Sequence, residues 1–245
     1  REYKMLNSGD SILVGGSGGA DSLALLHLLA ECKKELGITL HIAHLNHMIR
    51  KGDADLDVRF VQAIAQKLGL QAIVESFDVQ SFAKEEKLGL EDAARRIRYA
   101  FYDRAANQVG ANKIVLGHTA DDNVETFLMH ILRGSGIKGL CGIPPVRGKI
   151  VRPLIKVWRK EIEAYVNSLK LVPRCDYTNY ESQFLRNRVR LKLIQQLKIY
   201  NLNIKEIILQ TILLVTDDRE YIDAKAEEAL ADVYVSSSDQ EIKLN

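Results

Sequence analysis

The chain has 245 residues, 47% of them hydrophobic and 27% charged, with a formal net charge of +2. That length accommodates one large α/β domain and a smaller appendage, and the composition is that of an ordinary globular protein rather than a disordered or fibrous one. No apolar stretch is long enough to span a bilayer and no signal-peptide core is visible, which predicts no membrane contact and a cytoplasmic location, or an organelle stroma for a plastid-encoded chain.

Apolar runs alternate with helical patterns. Strands are predicted at 11–16, 39–45, 71–76 and 113–117, with amphipathic helices near 22–36, 54–68, 91–108 and 121–132. This alternation predicts an α/β fold, a doubly wound and mostly parallel sheet with ligands at the carboxyl ends of its strands. All four prolines fall between 144 and 173, where the rhythm loosens, and a helix is predicted from Trp158 to Leu169. Beyond residue 200 the pattern is helical, with Ile204, Ile207, Ile208, Ile212 and Val215 on one side. A second helix is expected from Asp217 to Val233, and Ser236–Ser238 reads as a loop. The expected division is a catalytic domain over 1–198 and a helical segment over 199–245; the chain opens on Arg1 rather than Met and is expected to be trimmed or a fragment.

Charge and cysteines narrow the partners. From Arg133 to Lys198 there are 15 Lys/Arg against four acids, a net +11 that leaves −9 elsewhere, which is the footprint of a polyanionic partner or of a solvated basic face. Cys32, Cys141 and Cys175 are scattered, without CxxC, which fits a reducing compartment and excludes a zinc knuckle or redox dithiol.

The chemistry concentrates after the predicted strands. Ser17-Gly18-Gly19-Ala20-Asp21-Ser22 lies between the apolar run Ile12–Val14 and the apolar run starting at Leu23. A strand, a Gly-rich turn and a helix N-terminus make an anion site, and the two hydroxyls can donate to phosphate. The turn is neither Walker A nor GxGxxG. Asp21 would repel phosphate unless a divalent cation lay between them, so a nucleotide pyrophosphate held with Mg²⁺ is expected. His44 and His47 bracket a strand end and suit nucleotide or substrate contacts better than a metal, with Arg50 and Lys51 opening the basic loop that follows. Asp122 and Glu125 are three apart on an opening helix; they can complete a magnesium site with Asp21, while helix capping accounts for one of them. Arg95 and Arg98 share a helix face, whereas Arg96 points elsewhere. Arg133-Gly134-Ser135-Gly136 ends a helix and continues toward Lys138 as a flexible loop able to close over substrate, and Arg186, Arg188 and Arg190 form a guanidinium-dense stretch suited to phosphate.

Taken together, SGGADS (17–22), HLNHMIR (44–50), EDAARRIRY (91–99), GHTADDNVET (117–126), RGSGIKGLCG (133–142), RPL (152–154) and DYTNYESQFLRNRVR (176–190) resemble the tRNA(Ile)-lysidine synthetase family, a branch of the N-type ATP pyrophosphatase (PP-loop) superfamily. The resemblance spans Ser11 to Leu197. It implies a PP-loop sheet and an ATP-dependent carbon–nitrogen ligase that adenylates the C2 oxygen of the wobble cytidine in tRNA(Ile) with a CAU anticodon, releasing pyrophosphate, after which the ε-amine of free L-lysine attacks C2 and AMP leaves. The site residues expected are Asp21, Asp122 and Glu125 in catalysis; Ser17, Gly18, Gly19, Ala20, Asp21, Ser22, His44 and Arg188 at ATP; Asp21 and Asp122 at Mg²⁺; and Arg133, Lys138, Arg186 and Arg190 at tRNA. His118 is a reserve candidate for the base. Two departures stand out: Gly15-Gly16 replaces small apolar residues and is expected to loosen the strand end, and Met48 replaces a frequent Gly, so the next loop is expected to bend differently. A tRNA thiolase of the same superfamily is the alternative, disfavoured by the isolated cysteines. A small-molecule ligase of the NAD- or GMP-synthetase type leaves the basic segment unexplained, and an inactive tRNA-binding module leaves the acids unexplained. The oligomeric state stays open, with a homodimer one option.

Overall fold

The structure, a computed structural model, describes residues 2–48, 53–174, 185–237 and 242–244. Arg50, Lys51, Cys175, residues 176–184 of the last block and Ser238 lie outside the described residues. The chain divides into two compact units, Arg1–Asp122 with Pro144–Asn179, and Asn123–Ile143 with Tyr180–Asn245.

The first unit is a sheet wrapped by helices: β1 (Ser11–Gly15), α1 (Ala20–Leu36), β2 (Thr39–Asn46), α2 (Asp53–Leu68), β3 (Gln71–Ser76), α3 (Val79–Glu85), α4 (Leu90–Gln108), β4 (Lys113–Val115), β5 (Val146–Arg147), β6 (Ile150–Val151) and α7 (Arg159–Ser168). Strand order is β3-β2-β1-β4-β6-β5, parallel throughout except the β5–β6 pair. The chain winds outward from β1 to β3 and resumes on the other side at β4, so the order reverses between β1 and β4, where open α/β sheets bind ligands.

Alternation along the strands sorts the core into two layers. Ile12, Val14, Leu40 and Ile42 pack with Leu25, Leu26 and Leu29 of α1, Val61 and Ala65 of α2, and Ile162 and Val166 of α7. Leu13, Ala43 and Ile114 face the other way, onto Val79 and Ala83 of α3 and the Ala/Ile/Phe stripe of α4 (Ala93, Ile97, Phe101, Ala105). Truncating one of these side chains, Leu25 for instance, costs about 2–5 kcal/mol.

The second unit is mainly helical. It continues α5 (Ala120–Leu132), then has α6 (Ile137–Leu140), α8 (Leu185–Arg188), a π-helical stretch Val189–Leu193, α9 (Ile194–Tyr200) and α10 (Ile204–Val233), followed by a β7 (Tyr234–Ser237) and β8 (Ile242–Leu244) antiparallel pair.

The structure differs from expectation in the C-terminal region. Two helices were expected beyond residue 200, but α10 is one 30-residue helix. Asp217-Asp218 imitates a helix start, yet no Gly or Pro between 204 and 233 stops the chain from remaining helical. The expected loop at Ser236 is part of β7, and the appendage therefore carries strand as well as helix. The strand end at Gly15-Gly16 is not loosened. Both glycines are buried, Gly16 N–H donates to Ala43 O at 2.8 Å, and the side-chain space is filled by Leu116 and Tyr102 at Gly15 and by Ile42 at Gly16. Met48 takes the left-handed conformation that glycine favours, φ +52°, with its N–H donating to Asn46 Oδ1 at 2.8 Å.

Candidate active site

The loop after β1 is organised by its serines. Ser22 Oγ donates to Gly19 O at 3.0 Å and sits 3.2 Å from Ser17 N and 3.1 Å from Ser17 Oγ. Gly18 has φ +80°, a conformation that costs a side-chain-bearing residue roughly 1–2 kcal/mol. Gly19 caps α1 without any side-chain cap bond, its own N–H donating to Ser17 Oγ at 3.4 Å, and the loop leads into the positive end of the helix. Ala20 is the first helical residue. An apolar hollow beside the loop is lined by Leu23, Leu26, Ile42, Val61 and Ile64.

Two arginines that sequence reasoning did not single out flank this loop. Arg174 N–H donates to Gly18 O at 2.9 Å while its Nε holds Asp57 at 2.8 Å. Arg159 ties two acids of the rim: its backbone N–H donates to Asp121 Oδ2 at 2.8 Å and its NH2 to Asp21 Oδ2 at 3.1 Å. One signal for Arg159 was available, since a cation at the first position of a helix opposes the dipole and asks for a nearby anion. Arg174 left no pattern, because its pairing partners lie 117 and more residues away.

The loops after β2 and β4 reach the same rim. His44 is buried with Nδ1 2.7 Å from Gly16 O, so it props the end of β1 through that nitrogen. His47 Nε2 accepts from Arg98 at 3.3 Å, and burial, then the Arg98 and His44 charges, lower its pKa to about 4. Its Nδ1 is buried without a hydrogen-bond partner. Gly117 packs against the first turn of α1, where an added Cβ would stand 3.3 Å from the Asp21 backbone. Asp122 closes a cap with Thr119, its Oδ2 accepting from Thr119 N at 2.9 Å and from the Thr119 hydroxyl at 3.0 Å. His118 Nδ1 accepts from Arg152 Nε at 3.3 Å.

Glu125 belongs to the second unit and is 1% exposed. Its carboxylate is gripped by Arg190 through two bonds of 2.6 and 3.0 Å, with Arg186 Nε at 3.8 Å, while Arg186 NH2 also donates to Thr126. Arg190 sits on the π-helical stretch, a widened turn that recurs at functional sites. Arg133, Lys138 and Arg188 are exposed. The first unit thus gathers Ser17 to Ser22, His44 and Asp122 on its rim, and the second holds Glu125 with two of the predicted tRNA arginines.

Among the described residues no three His, Cys, Asp or Glu side chains are grouped to hold a metal. No helix of the described residues is long and apolar enough to cross a membrane.

The chain is 37% identical over 245 residues to the tRNA(Ile)-lysidine synthase of Caldanaerobacter subterraneus subsp. tengcongensis, covering 100% of this chain and 52% of that protein. It is 42% identical over 231 residues to the tRNA(Ile)-lysidine synthase of Geobacter sulfurreducens, covering 94% and 49%. The chain therefore spans about half the length of these curated relatives. The fold is shared with the U34-tRNA thiolase NcsA from Methanococcus maripaludis, at a TM-score of 0.67 and 21% identity over 87% of this chain and 74% of that one. Residues 2–197 match the PP-loop domain, and with the glycine turn at the switch point of its sheet this chain belongs to the PP-loop family.

Proposed function

We propose that this chain is the catalytic part of a tRNA(Ile)-lysidine synthetase, with residues 1–198 as catalytic domain and 199–245 as appended segment. The substrates are ATP, free L-lysine and the wobble cytidine of tRNA(Ile) bearing CAU, handled in the cytoplasm or a plastid stroma. The observation that carries this reading is the identity of 37–42% to proteins named tRNA(Ile)-lysidine synthase, over a stretch that includes the glycine turn and the start of α1.

The cytosine C2 oxygen is a poor leaving group, and an attached AMP makes it a good one. Gly18, Gly19 and the start of α1 would hold the departing pyrophosphate with the Ser17 and Ser22 hydroxyls. Asp21 and Asp122 would hold Mg²⁺, whose charge, when it is bound, offsets that building on the phosphates. At pH 7 only about one lysine side chain in 2,500 is neutral, so the amine must be bound as ammonium and then deprotonated. Glu125 is the group proposed for both steps, with Asp122 and His118 behind it. Because Glu125 is held by Arg190 and Arg186, binding an ammonium there requires those guanidinium groups to turn to another anion, and a tRNA phosphate is the partner proposed. Arg133 and Lys138 would add to that grip.

The test incubates the chain with ATP, radiolabelled lysine and CAU-anticodon tRNA, digests the RNA and looks for lysidine. Labelled sulfur in the product in place of lysine would refute the reading in favour of thiolation. A Glu125→Ala variant that retains full lysidine formation would remove Glu125 from its role.

A further inference from the structure

Three connections meet at the switch point of the sheet, those that follow β1, β4 and β6, and the parts of them that touch all belong to the first unit. Ala120 N–H donates to Val157 O at 3.0 Å, which ties the start of α5 to the turn before α7. Gly117 lies so close to Asp21 that an added Cβ would stand 3.3 Å from the Asp21 backbone. Arg159 completes the frame, with its backbone N–H on Asp121 Oδ2 at 2.8 Å and its guanidinium NH2 on Asp21 Oδ2 at 3.1 Å. Asp21 and Arg159 are thus fixed against one another although they are 138 residues apart, and their side chains are only 23% and 32% exposed.

A cation has no local reason to stand where Arg159 stands. It is the first residue of α7, where the helix end is itself positive. The N–H groups at that end are already served, Trp158 N–H donating to Glu161 at 2.9 Å and Arg159 N–H to Asp121. The guanidinium therefore answers Asp21. Asp21 in turn is an anion in the first turn of α1, directly after the glycine loop proposed for phosphate. Repulsion between a carboxylate and a phosphate in a partly buried site is screened far less than in water, so a loop carrying Asp21 needs a positive charge beside it.

We propose that Arg159 is a positioning residue for the nucleotide: its guanidinium neutralises Asp21, so that the glycine loop accepts a polyphosphate before any metal ion is present. The proposal rests on the reading of the glycine loop as the phosphate cradle of ATP and is independent of the amino acid and RNA used afterwards. Arg159 acts through Asp21 and not as a ligand of phosphate. Part of the affinity for nucleotide then belongs to the chain's own cation, and the gain from added Mg²⁺ depends on whether Arg159 is in place.

Calorimetric titration of the chain with ATP, once in EDTA and once with Mg²⁺, reads this without turnover. Wild type is expected to bind in EDTA within about tenfold of its affinity with Mg²⁺. Arg159→Ala is expected to weaken binding in EDTA by roughly 10–100-fold, the range of one charge-assisted hydrogen bond, and to recover most of that loss when Mg²⁺ is added. Arg159→Lys keeps the charge and should stay within about threefold of wild type in EDTA. The deciding variant is the double one, Asp21→Asn with Arg159→Ala. With no carboxylate left to offset, its binding in EDTA should return to within about threefold of wild type. A loss that persists in the double variant overturns the proposal in favour of direct contact between Arg159 and phosphate. A loss in Arg159→Ala that neither Mg²⁺ nor lysine at this position repairs overturns it in favour of a structural role. Wild type that binds ATP with Mg²⁺ and not in EDTA overturns it while leaving the glycine-loop reading intact; no binding in either buffer overturns both.

Discussion

Removing Arg190 should unfold the second unit far more readily than removing an ordinary surface arginine. Glu125 has a side chain only 2% exposed, and Arg190 supplies two of its bonds, at 2.6 and 3.0 Å, from a side chain 22% exposed. Breaking a buried ion pair by deleting one partner costs roughly 3–5 kcal/mol, because the remaining charge has lost its water and its counter-ion together. Arg186 stays within 3.8 Å and shields part of the loss, so Arg190→Ala should cost about 3 kcal/mol. For a chain of this size that lowers Tm by roughly 6–12 °C. Urea denaturation followed by helical circular dichroism gives the free energy directly, and the slope should match wild type if only the native state is affected. Replacing both partners, Glu125→Met with Arg190→Met, should recover most of the loss, since an apolar pair needs no solvation. A cost under about 0.5 kcal/mol for Arg190→Ala alone would refute the reasoning, because it would place Glu125 in contact with enough water to need no arginine.

Met48→Gly should stabilise the chain by about 1 kcal/mol in the same urea experiment, because glycine adopts φ +52° without the strain methionine bears; a loss of stability would show that the methionine packs against something worth more. His47 is neutral at pH 7, with its pKa lowered to about 4 by burial first and by Arg98 and His44 next. Its contribution is complete above the ordinary histidine value of about 6.5 and is lost as pH falls toward 4, some 3 kcal/mol in all, so wild-type stability should drop through that window and a His47→Gln variant should drop less. Affinity for tRNA should fall steeply with salt, with a log–log slope near −3 if Arg133, Lys138, Arg186 and Arg190 each meet one phosphate; a flat profile measured by filter binding would remove that surface from the proposed role.

Most of the sheet and its rim was legible because both follow local patterns. β1 to β4 and α1, α2, α4 and α5 fall within a residue or two of expectation, since apolar alternation and the 3.6-residue stripe are written in consecutive residues. β5 and β6 were not found, because two-residue strands hold no period and their turn at Gly148 is a single left-handed glycine. α3 begins on a capping signal, Asp78 accepting from Ser81 N–H, that is too short to stand out. α8, α9 and the intervening π-helical stretch were read only as a density of arginines. At the site, the glycine turn was visible and the ion pairs were not. That Arg159 meets Asp21 and Arg190 meets Glu125 depends on segments 138 and 65 residues apart, a relation no local spacing encodes.

The twin glycines closing β1 carry a consequence for how this sequence can vary. A methyl group at Gly15 would come within 2.7 Å of Leu116 and of the Tyr102 hydroxyl, and one at Gly16 within 2.8 Å of Ile42. The space that a side chain on the strand would need is here filled by its neighbours. Position 15 is thereby yoked to 102 and 116, and position 16 to 42. Alanine at 15 will be tolerated only alongside a trimmed partner, and libraries that vary these sites singly will score each as immutable although the set can be exchanged together.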